Sequence, residues 1–176
     1  MAMCGRYFID NEQENAKLCA ILQELARRGS PQSAEAHMGE IFPGQIAPVI
    51  VAEHGKATVK AMRWGFPRAG GGGLVINSRS EKADVTPMYS RAARERRCLV
   101  PVSGFYEWRR TATGAKTKDK YAFRAANEGE LTYLAGFWGS FLGGFDAGGF
   151  DGFAILTREA DEQMSPYHNR MPVKTL

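Results

Sequence analysis

Three side chains that could act together on a carbonyl group are spread along the chain: Cys4, Glu107 and His168. If translation begins at Met3 and that methionine is removed, Cys4 carries both a thiol and a free α-amine. Such a 1,2-aminothiol reacts with an aldehyde, because the amine forms an imine and the thiol then closes a five-membered ring. An α-amine is a weaker base than a lysine side chain, so a useful fraction of it is unprotonated at neutral pH. The alternative for Cys4 is a small buried residue at the start of a strand.

Glu107 lies within an aromatic segment, "VPVSGFYEWRR" (100–110). Strand alternation predicts Phe105 and Glu107 on one face and Tyr106 and Trp108 on the other. A carboxylate surrounded by aromatic side chains loses water, which favours its protonated form and suits it to proton transfer. The alternative is an outward-facing glutamate on an edge strand.

His168 follows a turn predicted at Pro166, and its imidazole could serve as a general acid or base or bind a phosphate. The alternative is a structural histidine. Arg170, two residues later, could pair with a phosphate or with a surface carboxylate.

A further polar group occurs in "NSRSE" (77–81), which the sequence predicts to be a loop after the apolar "LVI". Binding groups are often placed in such loops. The Arg79 guanidinium could hold a phosphate with two parallel hydrogen bonds. The alternative is an ordinary surface turn.

The elements that must position these residues are mostly short strands. Helical spacing of apolar residues predicts a helix over 10–29, with Asp10 as its cap, and "TPMYSRAARERR" predicts a second over 86–97, with Thr86 as its cap. Glycine-rich loops are expected at 69–73 and 143–152. Predicted strands are "RYFI", "APVIVAE", "TVKAMRW", "LVIN", "CLVPV", "FYEWR", "YAFRA", "LTYLAGFW" and "FAILT". This pattern indicates an α+β fold dominated by a sheet or barrel.

Composition narrows the class of protein. The 176 residues are 44% hydrophobic and 24% charged, which is typical of a globular protein, and we expect one domain over 1–176. No stretch approaches the ~20 apolar residues of a membrane span and no signal peptide is recognisable, so we expect a soluble cytoplasmic protein. Three scattered cysteines and three scattered histidines argue against disulfides and a metal site. A net charge of +4 is compatible with nucleic-acid binding.

Eight motifs in a fixed order carry a resemblance that covers nearly the whole chain. They are "CGRY", "IAPV", "MRWGF", "INSRSE", "RCLVPVSGFYEW", "LAGFW", "FAILTREAD" and "HNRMPV". Together they resemble the SOS-response-associated peptidase (SRAP) family, the abasic-site processing proteins. The resemblance implies an α+β fold with a β-barrel-like core of mixed and antiparallel strands, flanked by a few helices.

The resemblance also implies roles for single residues. Cys4 matches the nucleophile that forms a thiazolidine cross-link with an abasic site, Asn77 the amide that holds cysteine and sugar, and Glu107 the carboxylate that assists ring opening. His168 matches the histidine that contacts the lesion phosphate. The residues expected at the DNA are Arg6, Pro48, Trp64, Arg79, Thr157 and Arg170, with Trp64 able to stack on bases.

The resulting expectation is a covalent sensor of abasic sites in single-stranded DNA, acting as a monomer without cofactor or metal, in the cytoplasm or at the nucleoid. The alternatives are a lyase or thiol autopeptidase that uses the same site, and a passive single-strand binder. Met1 and Ala2 precede Met3, so a free Cys4 amine requires a start at Met3 or self-processing. After Trp64 the chain reads "GFPRAGGGG", where some relatives have extra tryptophans, so this segment departs from the family at part of the expected DNA-stacking surface.

Overall fold

The structure is a computed structural model that describes residues 5–10, 16–29, 31–68, 71–110, 118–124, 130–142 and 149–175. Cys4 lies outside these residues, as do residues 11–15 of the predicted first helix, residues 69–70 of the first predicted glycine-rich loop and residues 143–148 of the second. The helices are α1 (Ala16–Arg28), α2 (Pro31–Ala34) and α3 (Ser90–Glu95), with a 3₁₀ turn at Ser80–Lys82. The strands are β1 (Tyr7–Ile9), β2 (Gly39–Ile41), β3 (Ile46–Glu53), β4 (Lys56–Trp64), β5 (Phe66–Pro67), β6 (Leu74–Val75), β7 (Asn77–Arg79), β8 (Arg97–Val102), β9 (Gly104–Arg110), β10 (Lys118–Arg124), β11 (Thr132–Phe141), β12 (Phe150–Glu159), β13 (Arg170–Pro172) and β14 (Lys174–Thr175).

Two sheets carry the residues of interest. The smaller is antiparallel, with strand order β10-β9-β1-β2, and β9 lies between β10 and β1. The larger has the order β13-β12-β4-β3-β8-β11-β14, and β7 runs parallel to β12. A two-stranded ribbon of β5 and β6 completes the pairing. Because β9 belongs to one sheet and β7 and β13 to the other, any site built from all three strands lies between the sheets.

The larger sheet curves toward a ring, because β11 pairs with β12 as well as with β8. Strands β12, β4, β3, β8 and β11 therefore follow one another as hydrogen-bonded neighbours. In the described residues, however, β4 and β12 share two residue pairs, and so do β3 and β8. The predicted α+β class is confirmed, whereas the predicted barrel is not clearly formed, because these two seams are too short for regular closure.

The strand predictions agree with the structure at every apolar segment, with ends shifted by a few residues. Two loop predictions are wrong. Asn77–Arg79 forms β7, because its backbone pairs with β12 through Ile155 and Thr157. The end of the predicted loop 143–152 belongs to β12, where Phe150 pairs with Phe141.

Both predicted helices are present in the structure, but their first and last residues differ from the predicted ones. In α1, Leu18, Ile21 and Leu25 are buried and join the main core, whereas Ala26, predicted on this face, is exposed. The second helix begins at Ser90 rather than after Thr86. The Thr86 hydroxyl donates to the Lys82 carbonyl instead of capping the helix. No helix in the described part of the chain is long and apolar enough to cross a membrane.

Gly104 opens β9 at a point where two neighbours leave no room for a side chain. A Cβ atom there would lie against the Phe123 carbonyl oxygen and 2.5 Å from the Phe8 ring. Since β9 carries Glu107, this close approach helps to set the strand that presents it. Gly139 in β11 is a useful contrast, because a Cβ there would make ordinary contacts of 3.5 Å and more.

We expect Gly104→Ala to lower the free energy of unfolding by about 1–3 kcal/mol, the usual effect of overpacking. Urea unfolding followed by tryptophan fluorescence measures this change. Gly139→Ala is the matched control. It should lower the free energy of unfolding by less, because its new methyl group does not require the backbone to move. Equal losses in the two variants would show that Gly104 is not constrained by close packing.

Candidate functional site

A cavity of about 690 Å³ lies where the two sheets meet. Its lining comes from β7 (Asn77–Arg79), from Thr157 in β12, from residues 108–109 in β9 and from residues 167–170. These segments are far apart in sequence. The structure thus brings together Asn77, Arg79, Thr157, His168 and Arg170, all of which the sequence analysis had singled out.

Pairing of β7 with β12 places Asn77 and Arg79 at the cavity. Asn77 lies opposite Ile155 and Arg79 opposite Thr157 in a parallel ladder. Thr157 is 1% exposed, and its hydroxyl donates to the Ser78 carbonyl at 3.2 Å. This bond joins the two strands, so the predicted groove residue Thr157 lines the cavity with a hydroxyl that already has a partner.

Arg170 is held by a carboxylate. Its Nη1 and Nη2 donate to the two carboxylate oxygens of Glu81 at 2.6 and 2.8 Å, and Nη2 also donates to the Thr157 carbonyl at 2.7 Å. The hydrogen bond from Arg170 is the main cause that lowers the pKa of Glu81 to about 2. Of the two partners predicted for Arg170, this structure therefore shows a surface carboxylate, and a phosphate would have to displace or share Glu81.

We expect Glu81→Gln to destabilise the protein at pH 7, by at most about 1 kcal/mol because Glu81 is half exposed. The folded-state pKa of Glu81, about 2, lies below the ordinary value of about 4.3 in an unfolded chain. The stabilisation is therefore fully present above the ordinary value and is lost as the pH falls toward 2. Urea unfolding of both proteins between neutral and acidic pH tests this. A difference that stays constant as pH falls would mean that charge is not its cause.

His168 is positioned by the turn that precedes it, as predicted at Pro166. Met164, 2% exposed, anchors the turn in the core, and its carbonyl accepts the His168 backbone N–H at 3.1 Å. The Arg170 backbone N–H donates to His168 Nδ1 at 3.0 Å. Nδ1 also lies 3.2 Å from the Arg170 carbonyl oxygen, so the Arg170 backbone engages this nitrogen in either tautomer. Nε2, which has no hydrogen-bond partner among the described residues, is therefore the ring nitrogen that can meet a ligand at the cavity.

Glu107 lies beside the cavity rather than on its lining. It is 3% exposed and shares a buried face with Phe105, while Tyr106 and Trp108 lie on the other face, as alternation predicted. Its strand partner is Tyr121, whose ring contacts the ring of the cavity residue Tyr167 at 4.6 Å between centroids. The structure therefore contradicts an outward-facing edge glutamate and places a buried carboxyl group next to the site.

Arg6 approaches the site from β1 without lining it. Its Nη1 donates to a carboxylate oxygen of Glu40 at 3.0 Å, and its guanidinium lies 5.0 Å from the Trp108 ring. The Arg6 carbonyl accepts the Tyr106 backbone N–H at 2.9 Å, which continues the β1–β9 pairing toward the chain start. Because Cys4 lies outside the described residues, its predicted role stays a prediction.

Two residues predicted at the DNA lie elsewhere. Trp64 is 0% exposed, its Nε1–H donates to the Ile76 carbonyl at 3.0 Å, and its ring packs 4.9 Å from Tyr7. The predicted stacking of Trp64 on bases is therefore wrong for this structure, because no ring face is accessible. Pro48 is buried in β3 opposite Ala61 and is not part of the cavity lining.

Sequence analysis assigned no role to five cavity residues: Ser78, Trp108, Arg109, Tyr167 and Asn169. Trp108 and Arg109 follow Glu107 directly, but no site role was predicted for either. Tyr167 precedes His168 and gave no signal of its own. Alternation could have placed Arg109 on the face of Glu107, but only the packing of the 161–169 segment brings Tyr167 there.

Comparison with known proteins settles the family. A family model described as SOS response associated peptidase (SRAP) matches residues 3–175. The chain belongs to the SRAP family. The resemblance inferred from the eight motifs is therefore confirmed.

Relatives with assigned names share about a quarter of their residues with this SRAP chain. The abasic site processing protein YobE of Bacillus subtilis (strain 168) is 24% identical over 177 residues, covering 97% of this chain and 77% of YobE. The abasic site processing protein YoaM of the same organism is 26% identical over 178 residues, covering 97% and 74%. The abasic site processing protein YedK of Escherichia coli (strain K12) is 26% identical over 175 residues, with the same two coverages.

Solved structures share the fold. A protein from Bacteroides thetaiotaomicron superposes with a TM-score of 0.73 at 17% identity, covering 98% of this chain and 77% of that chain. A phage-related protein from Bordetella bronchiseptica superposes with a TM-score of 0.67 at 23% identity, covering 97% and 76%. At these identities the likeness supports the arrangement of the two sheets alone.

Proposed function

We propose that this SRAP protein processes abasic sites in single-stranded DNA by forming a thiazolidine cross-link through Cys4. The observation that carries this proposal is the cavity between the sheets. It gathers Asn77, Arg79, His168 and Arg170 from distant segments, with Glu107 buried beside it. Abasic-site processing is also the activity named for the curated relatives.

The described residues that follow Cys4 in the chain support its proposed role. Gly5, the next residue, is the first that the structure describes. The hydrogen bond between Arg6 and Tyr106 holds this end of the chain against β9, one residue from Glu107. An aldehyde in the cavity would thus meet the amine and thiol at high effective concentration.

The cross-linking steps conserve atoms and protons. The Cys4 α-amine adds to the aldehyde carbon of the ring-opened sugar, and the resulting carbinolamine loses one water to give an imine. The thiol sulfur then bonds to the imine carbon while its proton passes to the nitrogen, which closes the thiazolidine. Glu107 supplies and receives protons during sugar opening and water loss, and His168 donates from Nε2 to an oxygen of the lesion.

Charge at the cavity suits a polyanion. Arg79 and Arg109 line it, and neither forms an ion pair in the described part of the chain, although the Arg79 charge contributes to lowering the pKa of Glu81. Phosphate neutralisation by such residues makes affinity depend steeply on salt. A lesion presented in a single strand would be held by these contacts while Cys4 reacts.

The test is incubation of the protein beginning at Cys4 with a single-stranded oligonucleotide that contains one abasic site, followed by a denaturing gel. A heat-stable shifted band, absent with the undamaged oligonucleotide, is expected. Strand cleavage without a lasting band would instead indicate a lyase acting through the imine. Binding without either product would indicate a passive single-strand binder. A separate measurement, the intact mass of the protein expressed from Met1, shows whether self-processing exposes Cys4.

A further inference from the structure

Arg109 lines the cavity from the four-stranded sheet, whereas Arg79 and Arg170 line it from the eight-stranded sheet. The Arg109 side chain is exposed and makes no ion pair with any carboxylate in the described ranges. Arg170, in contrast, is bound by Glu81. The two walls of the cavity therefore differ in how available their positive charge is to a ligand.

Two tyrosine rings hold the Arg109 guanidinium. Its Cζ atom lies 5.9 Å from the centroid of the Tyr121 ring and 5.8 Å from that of the Tyr167 ring, within the range of a cation–π contact. The rings meet edge to face at 4.6 Å, and Tyr167 also packs against Phe123 at 5.2 Å. This aromatic platform, formed by Tyr121, Tyr167 and Phe123, restricts where the guanidinium can point.

A carboxylate stands opposite Arg109 in the strand pair but does not bind it. Asp119 is the direct partner of Arg109 in the β9–β10 ladder, and opposite charges at such positions commonly attract each other. The guanidinium nevertheless lies over the two rings, and the residues described show no ion pair between Arg109 and Asp119. The charge of Arg109 therefore remains available at the cavity wall.

We propose that Arg109 binds a phosphate of the DNA strand in the cavity and that the aromatic platform holds it in position to do so. This inference rests on the proposed function and extends it to a residue outside the family motifs considered above. The planar guanidinium can donate two hydrogen bonds to phosphate oxygens, which an ammonium cannot do in the same geometry. A strand between the sheets would then meet one cation from each wall.

The first test measures binding of an undamaged single-stranded oligonucleotide by fluorescence anisotropy over a range of salt. Arg109→Ala should weaken binding about ten-fold at low salt, the effect of losing a charged hydrogen bond. It should also reduce the slope of log affinity against log salt by about 0.7. Arg91→Ala is the matched control, because Arg91 is an exposed arginine of α3 that pairs with Glu95 away from the cavity. It should bind as the wild type does.

The second test separates the charge from its platform. Tyr167→Leu keeps Arg109 but removes one ring, so we expect weaker binding with a salt slope closer to that of the wild type. Tyr167→Phe keeps the ring and should retain wild-type affinity. Wild-type affinity in Tyr167→Leu would show that the platform does not position Arg109 and would overturn that part of the inference.

Failure of the inference is distinguishable from failure of the proposed function. If the wild type binds DNA with a steep salt slope and Arg109→Ala matches Arg91→Ala, Arg109 makes no phosphate contact and the inference is wrong. If the wild type neither binds nor cross-links abasic DNA, the proposed function itself is wrong, and the inference with it. Thermal unfolding followed by circular dichroism confirms that each variant is folded before binding is measured.

Discussion

Replacement of Cys4 by alanine is expected to abolish the heat-stable adduct with abasic single-stranded DNA. In a protein that begins at residue 4, Cys4→Ala keeps the α-amine and loses only the thiol. The variant can therefore still form an imine with the aldehyde, but it cannot close the thiazolidine ring. Denaturing gels should show no band after heating, whereas reduction with borohydride before heating should trap the imine and restore one.

Cys19→Ala is the matched control for this prediction, because Cys19 is a partly exposed cysteine of α1. It should cross-link as the wild type does. Burial strongly raises the pKa of the Cys98 thiol, so that residue is a poor nucleophile and needs no separate control. A heat-stable adduct of normal yield in Cys4→Ala would show that another group forms the cross-link.

The second large effect is expected at Glu107. Glu107→Gln keeps the size and shape of a buried side chain and removes the group that titrates. A general acid or base contributes about 10²–10⁴-fold to a rate, and we expect the lower end because water or His168 can replace part of its function. The measurement is the single-turnover rate of cross-linking across pH, beside affinity for undamaged single-stranded DNA.

The expected pattern is slow cross-linking with affinity close to that of the wild type. Glu95→Gln is the matched control, because Glu95 is an exposed carboxylate of α3 paired with Arg91, and its rate should be unchanged. A normal cross-linking rate for Glu107→Gln at every pH would make Glu107 a structural residue and leave Cys4 to react without proton transfer from this carboxyl.

Local sequence pattern predicted the strands of this protein well, because their apolar residues alternate or run together between turn residues. The alternation in 105–108 also predicted correctly that Glu107 and Phe105 share a face. Motif order identified the SRAP family, whose model matches residues 3–175, and half of the residues selected by motif line one cavity. Such information is local, because it depends on neighbouring side chains and on backbone periodicity.

The sequence could not decide which polar groups have partners. Arg170 was assigned to DNA by its motif, and in the fold it meets Glu81, 89 positions away along the chain. Trp64 was assigned to base stacking, and in the fold its indole fills the core beside Tyr7. Both outcomes depend on which strands pair. Strand pairing brings together residues that are far apart in sequence, and local sequence patterns do not reveal such contacts.

Arg109 shows most clearly the difference between what the sequence predicts and what tertiary packing determines. The sequence analysis predicted no role for Arg109, and in the fold its strand partner is a carboxylate, Asp119. Tertiary structure instead brings Tyr167, from a turn near the end of the chain, against Tyr121 and so provides a ring surface for the guanidinium. The strand that carries Arg109 follows from the local sequence pattern. The orientation of its guanidinium is set by tertiary packing, because packing determines whether the rings or the Asp119 carboxylate contact it.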